Sequence, residues 1–205
     1  MDDKKKFYSS LLFPAGFIIL LWLIKLSEII FHFDFTWLGI FPGSVKGLPG
    51  IIFGPMIHAN ITHLMSNTLP VLLLGTGIIY FYKDSSFKVI TIIYIGTGIL
   101  VWFFARKAYH IGASGLIYGF VAFLFFSGII RRDTRAIALA LIVTFLYGSI
   151  IWGVLPLDSG ISWESHLFGS LLGIFCAFIF RDYDPPIKYD WENEEEDDLE
   201  NDQKS

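Results

Sequence analysis

Of 205 residues, 54% are hydrophobic and 18% aromatic, with a mean hydropathy of +0.60; this excludes an ordinary soluble domain, which needs far more polar surface. The formal net charge of −4 hides two unlike parts, since residues 182–205 hold eleven acids against two lysines while the rest holds thirteen Lys or Arg against eight acids. A single cysteine, Cys176, excludes an intramolecular disulfide framework.

Lys4 to Lys6 precede the first apolar stretch, but no small-residue cleavage site follows it and five more apolar runs come after, so it does not read as a removable signal. A bilayer core of about 30 Å needs roughly 20 apolar helical residues. Six stretches qualify: Leu11–Phe31, Leu64–Phe81, Val89–Ala105, Ala113–Ile130, Ala136–Val154 and His166–Phe180, the last starting about a turn earlier. Only the loop from Asp34 to Ile61 is long. Together with the adjoining Phe33, its Phe35, Trp37, Phe41, Pro42, Gly43, Pro49 and Gly50 suit a segment lying in the membrane interface. Lys25 and Glu28 sit three apart inside the first span, as an i,i+3 pair or a lysine reaching for the span end. The expected organisation is a cytoplasmic N-terminus over 1–10, a membrane domain over 11–181, and a disordered acidic tail over 182–205.

With the N-terminus in the cytoplasm, the inner segments hold Lys4, Lys5, Lys6, Lys83, Lys88, Arg131, Arg132, Arg135 and Arg181, and the outer loops only Lys46, Arg106 and Lys107. This positive-inside bias predicts that both termini are cytoplasmic. In that orientation spans two, four and six begin on the outer side, and each begins with polar residues: His58 through Asn67, then Gly112-Ala113-Ser114-Gly115, then His166. Polar groups inside a membrane are costly and call for a reason. Three clusters at one depth are that reason.

Ser114 opens a helix whose free N–H groups and dipole favour a developing oxyanion. Gly112 and Gly115 let a substrate backbone approach it. A serine hydroxyl needs an adjacent base, and His166 is the candidate, with Tyr118 one turn below Ser114 placed to pack on the imidazole. Glu164, two residues from His166, points away on a helix, so the site reads as a dyad. His63 and Asn67, four apart, share a helix face and supply oxyanion donors. His58 precedes that helix; its candidate roles are water access and ordering of the loop. Taken alone, GxSG is more often a packing seam. Gly115/Gly119 and Gly169/Gly173 form two GxxxG pairs that would draw spans four and six together.

The His58-x₄-His63-x₃-Asn67 run, Gly112-Ala113-Ser114-Gly115 with Tyr118, and His166-x₂-Gly169-x₃-Gly173 resemble the three signatures of rhomboid proteases, over roughly residues 10–181. The resemblance implies an all-α membrane fold, a six-transmembrane-helix rhomboid-type bundle with a water-filled cavity opening outward. It implies a serine endopeptidase that cleaves single-pass membrane proteins near the outer end of their transmembrane helix. Ser114 resembles the family nucleophile, His166 its general base, His63 and Asn67 the oxyanion pair, and Tyr118 the aromatic on the base. The expected partners are transmembrane protein substrates and the lipid bilayer, with no nucleic acid, cofactor or metal; no organelle transit peptide is evident, so the expected location is a bacterial inner membrane. Many members carry Trp-Arg in the loop after span one, whereas here Trp37 is followed by Leu38; this touches the seating of the loop rather than the chemistry.

Other protease chemistries fit less well. A zinc enzyme wants His-Glu-x-x-His on one helix, absent here, and a membrane aspartyl protease wants two aspartates within spans. A transporter would carry charge through the bilayer depth. The rival from another class is a catalytically inactive rhomboid-like protein that binds membrane clients; such relatives lack the serine or the histidine.

Overall fold

The structure is a computed structural model and describes residues 3–146, 153, 155 and 162–184. Among the described residues seven α-helices carry the fold: α1 (Asp3–Phe31), the short α2 (Gly50–Phe53), α3 (Ile61–Phe81), α4 (Ser86–Phe104), α5 (Ser114–Arg131), α6 (Thr134–Leu146) and α7 (Trp163–Ile179). Among the described residues there is no strand, only an isolated antiparallel bridge between Ile40 and His110. Helices α1, α3, α4 and α5 are long and apolar enough to cross a membrane, while α6 and α7 are apolar but shorter, 13 and 17 residues. The second half of the fifth expected span, most of the loop after it and the acidic tail from 185 lie outside the described residues.

Hydropathy alone places several helix starts too late. Helix α3 begins at Ile61 rather than Leu64 because the Asn60 side chain accepts the His63 N–H at 2.8 Å, an N-cap that draws polar residues into the first turn. Helix α7 begins at Trp163, about a turn before His166 as expected, so His166 lies in its first turn. Helix α1 starts at Asp3, well ahead of its apolar stretch.

The core is apolar, as in a soluble bundle, but so is the outer surface. Phe145, Leu12 and Phe104 are 86%, 74% and 70% exposed on the outer surface, an apolar coat that only lipid tails suit. Helix α1 instead buries Ser10, Pro14, Ile18, Leu21, Lys25 and Glu28, a stripe at three- and four-residue spacing laid against α3. Helix α5 stands at the centre, packed by α3, α4, α6 and α7, with Leu116, Phe120, Phe123 and Leu124 buried in the core.

The tightest contact is between α5 and α7. A Cβ at Gly169 would collide with the carbonyl oxygen of Gly115, and one at Gly173 with that of Gly119. The two GxxxG pairs therefore interlock backbone to backbone, as small residues permit where no hydrophobic force drives helices together. At the other end of the bundle, Asp184 accepts hydrogen bonds from the Asp84 N–H and the Ser85 hydroxyl and pairs with Arg131 at 3.8 Å. This ties the α3–α4 turn, the end of α5 and the chain after α7. The bundle is clamped there, and the polar cluster occupies the opposite end.

Candidate active site

The turn Gly112–Ala113 delivers Ser114 to the first position of α5. Gly112 adopts φ +105°, a backbone region L side chains rarely enter, and its N–H donates to Gly54 O at 3.0 Å. A Cβ there would stand 2.6 Å from His63 Cε1 and 2.8 Å from Nε2, so the imidazole of His63 lies directly on the glycine. Gly112→Ala is therefore expected to combine backbone strain with displacement of His63, costing on the order of 1–3 kcal/mol in thermal unfolding. An unchanged midpoint would contradict that packing.

Helix α7 brings His166 to Ser114. The interlocked glycines hold the helix axes close, and the serine hydroxyl donates to His166 Nε2 at 2.8 Å. The other ring nitrogen, Nδ1, donates to the Gly153 carbonyl at 2.7 Å. That second bond sets the tautomer: with the hydrogen on Nδ1, Nε2 presents its lone pair to the hydroxyl. The Tyr118 ring stacks on the imidazole, centroids 4.0 Å apart and planes 7° from parallel. His166 is 6% exposed, so both its bonds and its stacking partner lie within the bundle.

Glu164 is turned away from His166. Its carboxylate faces Arg106, with a 3.4 Å ion pair and a 3.3 Å bond from the Arg106 N–H. The third group on the histidine is thus a backbone carbonyl rather than an acid. Sequence reading could not single out Gly153, because every residue owns a carbonyl. Its lack of a side chain is the one available clue: a Cβ there would collide with the Tyr118 hydroxyl.

His63 and Asn67 occupy the first two turns of α3. Asn67 is buried and its Nδ2 donates to His63 O at 2.7 Å. An amide NH₂ carries two hydrogens, which leaves one for a further acceptor. His63 sits against the turn just before Ser114 and is in edge contact with His58, centroids 5.0 Å apart. A second network, unread in the sequence, frames the approach to Ser114. His110 Nδ1 bonds the Ser162 hydroxyl, its Nε2 bonds Arg106 O at 3.0 Å, and Ser162 and Ser165 share a 2.6 Å bond. It joins the loop before Ser114 to the start of α7. Among the described residues, no three His, Cys, Asp or Glu side chains gather as a metal site; Cys176 is buried and unpaired in α7.

Chemically, a hydroxyl bonded to an imidazole of set tautomer, at a helix N-terminus with the His63 ring against the preceding turn, is equipped for acyl transfer. The family model of the Rhomboid domain matches residues 46–183. An uncharacterized protein of Mycobacterium tuberculosis (strain H37Rv) is 36% identical over 172 residues, covering 80% of this chain and 72% of its own length. Another from Mycobacterium bovis shows the same values. One from Mycobacterium leprae is 34% identical over 173 residues, covering 80% of this chain and 68% of itself.

Proposed function

The chain belongs to the rhomboid family, and from that premise we propose that it is an intramembrane serine endopeptidase acting through Ser114 and His166 on transmembrane segments of single-pass proteins. The observation that carries the reading is the 2.8 Å bond from the Ser114 hydroxyl to His166 Nε2, with Nδ1 held by Gly153 O. The Ser114 oxygen attacks the scissile carbonyl as its proton passes to Nε2. The oxyanion accepts hydrogen bonds from the first N–H groups of α5 and from His63 and Asn67. His166 returns the proton to the departing amine, leaving an ester on Ser114, and water then enters with the same imidazole as base. The six-span topology with both termini in the cytoplasm, in a bacterial inner membrane, belongs to this reading. It puts the Ser114 end of the bundle toward the outer leaflet and the cut near the outer end of the substrate helix.

The test is reconstitution of the full chain with a generic single-pass substrate and mapping of the product termini. Cleavage near the outer end of the substrate helix is expected. A protein that binds the substrate and leaves it whole would place the chain among the inactive client-binding relatives. Tyr118 supplies a graded check. Tyr118→Phe keeps the ring on the imidazole and should retain turnover within a few-fold, whereas Tyr118→Ala frees the imidazole to tilt and should lower kcat about tenfold. Equal rates for the two variants would contradict a positioning role for the ring.

A further inference from the structure

Lys25 and Glu28 lie inside the membrane-spanning part of α1, 9% and 7% exposed, far in sequence from the site. A buried ion pair is weak evidence of stabilisation, since desolvation can offset the attraction. What it holds is more informative. The lysine ammonium has three hydrogens, and all three are used: Glu28 Oε2 accepts one at 2.8 Å, His58 O at 2.7 Å and Ala59 O at 3.3 Å. The other oxygen, Glu28 Oε1, accepts the Phe35 N–H at 2.9 Å. The pair therefore grips both ends of the long loop between α1 and α3. His58, whose carbonyl Lys25 holds, is 2% exposed, and its Nε2 accepts the Ala113 N–H at 3.4 Å. Ala113 is the residue just before Ser114. Burial, then the neighbouring His63, pushes His58 down to about 3, which keeps the ring neutral and Nε2 free to accept.

We infer that Lys25 and His58 are positioning residues that set the Gly112–Ala113 peptide, and through it the nucleophile at Ser114, by a continuous chain from α1 to the start of α5. The inference rests on the protease reading for its kinetic consequence, but not for its structural one. The carbonyl grip, rather than the charge pair, is the working element. Lys25→Met removes all three bonds, whereas Glu28→Gln removes the charge pair and one of the two carboxylate acceptors but leaves Lys25 its bonds to the His58 and Ala59 carbonyls.

The experiment uses the full chain in detergent and two readouts, the rate of Ser114 modification by a fluorophosphonate and amide hydrogen exchange over residues 110–116. Lys25→Met and His58→Ala should each slow labelling about tenfold or more and speed exchange in that segment. Glu28→Gln should stay within about threefold of wild type in both. The double variant Lys25→Met/His58→Ala should be no slower than the slower single, because both act through one chain. Wild-type rates and exchange in Lys25→Met, or losses that multiply in the double variant, would overturn the inference. A protein that never labels, yet shows faster exchange in Lys25→Met and His58→Ala only, would uphold the chain and sink the protease reading. If Lys25→Met fails to fold, His58→Ala and Glu28→Gln still decide: wild-type exchange in the first, or loss in the second, counts against it.

Discussion

Ser114→Ala is expected to reduce cleavage of a transmembrane substrate by about 10⁴-fold or more, and His166→Ala by a similar factor, with the double variant no worse than either single. The non-additivity is the informative part. Ser114 and His166 touch through one hydrogen bond at 2.8 Å, and a hydroxyl without its base is as inert as a base without its hydroxyl. Each variant should remain folded: Ser114 sits at a helix end where alanine is tolerated, and the space vacated by the imidazole in His166→Ala is bounded by the Tyr118 ring rather than by an unpaired charge. Residual cleavage in Ser114→Ala comparable to wild type would move the nucleophile elsewhere.

The second large effect is expected from Gly169→Ala, one added methyl several residues from the reacting atoms. That Cβ would strike the Gly115 carbonyl oxygen, part of a backbone that cannot rotate aside. The helices must part, which should cost about 2 kcal/mol in thermal unfolding and lower cleavage about 10²-fold, because misplacement of about 1 Å suffices for such a loss. Gly16→Ala on α1 is the control. A Cβ at Gly16 meets nothing within 4 Å, so stability there should hold or rise by about 0.5–1 kcal/mol. Equal behaviour of the two variants would show that the glycine interlock does not hold the pair together.

What is legible in the sequence follows from the kind of signal each feature leaves. Apolar runs mark membrane helices because hydrocarbon selects composition. The three polar clusters stand out against that background, which is why Ser114, His166, Tyr118, His63 and Asn67 can all be named from the sequence. Helix starts are misplaced wherever a cap such as Asn60 extends the helix into polar residues. Partners made by backbone atoms leave no trace: the Gly153 carbonyl on His166, and the carbonyls of His58 and Ala59 on Lys25, belong to no residue type. Lys25 and Glu28 are visible as an anomaly and as a pair. Their reach to a loop some thirty positions away follows only from how α1 lies along α3, which the sequence does not encode locally. The gain is specific: a lysine that reads as a local curiosity turns out to hold the His58 and Ala59 carbonyls, and the His58 ring accepts the Ala113 N–H just before Ser114.

The most direct test of the central claim is covalent modification of the folded, detergent-solubilised chain by a fluorophosphonate, with the adduct located by peptide mass. A single adduct on Ser114, lost in Ser114→Ala and strongly slowed in His166→Ala, is the predicted result. An adduct elsewhere, or a folded wild-type protein that takes up none, would contradict it.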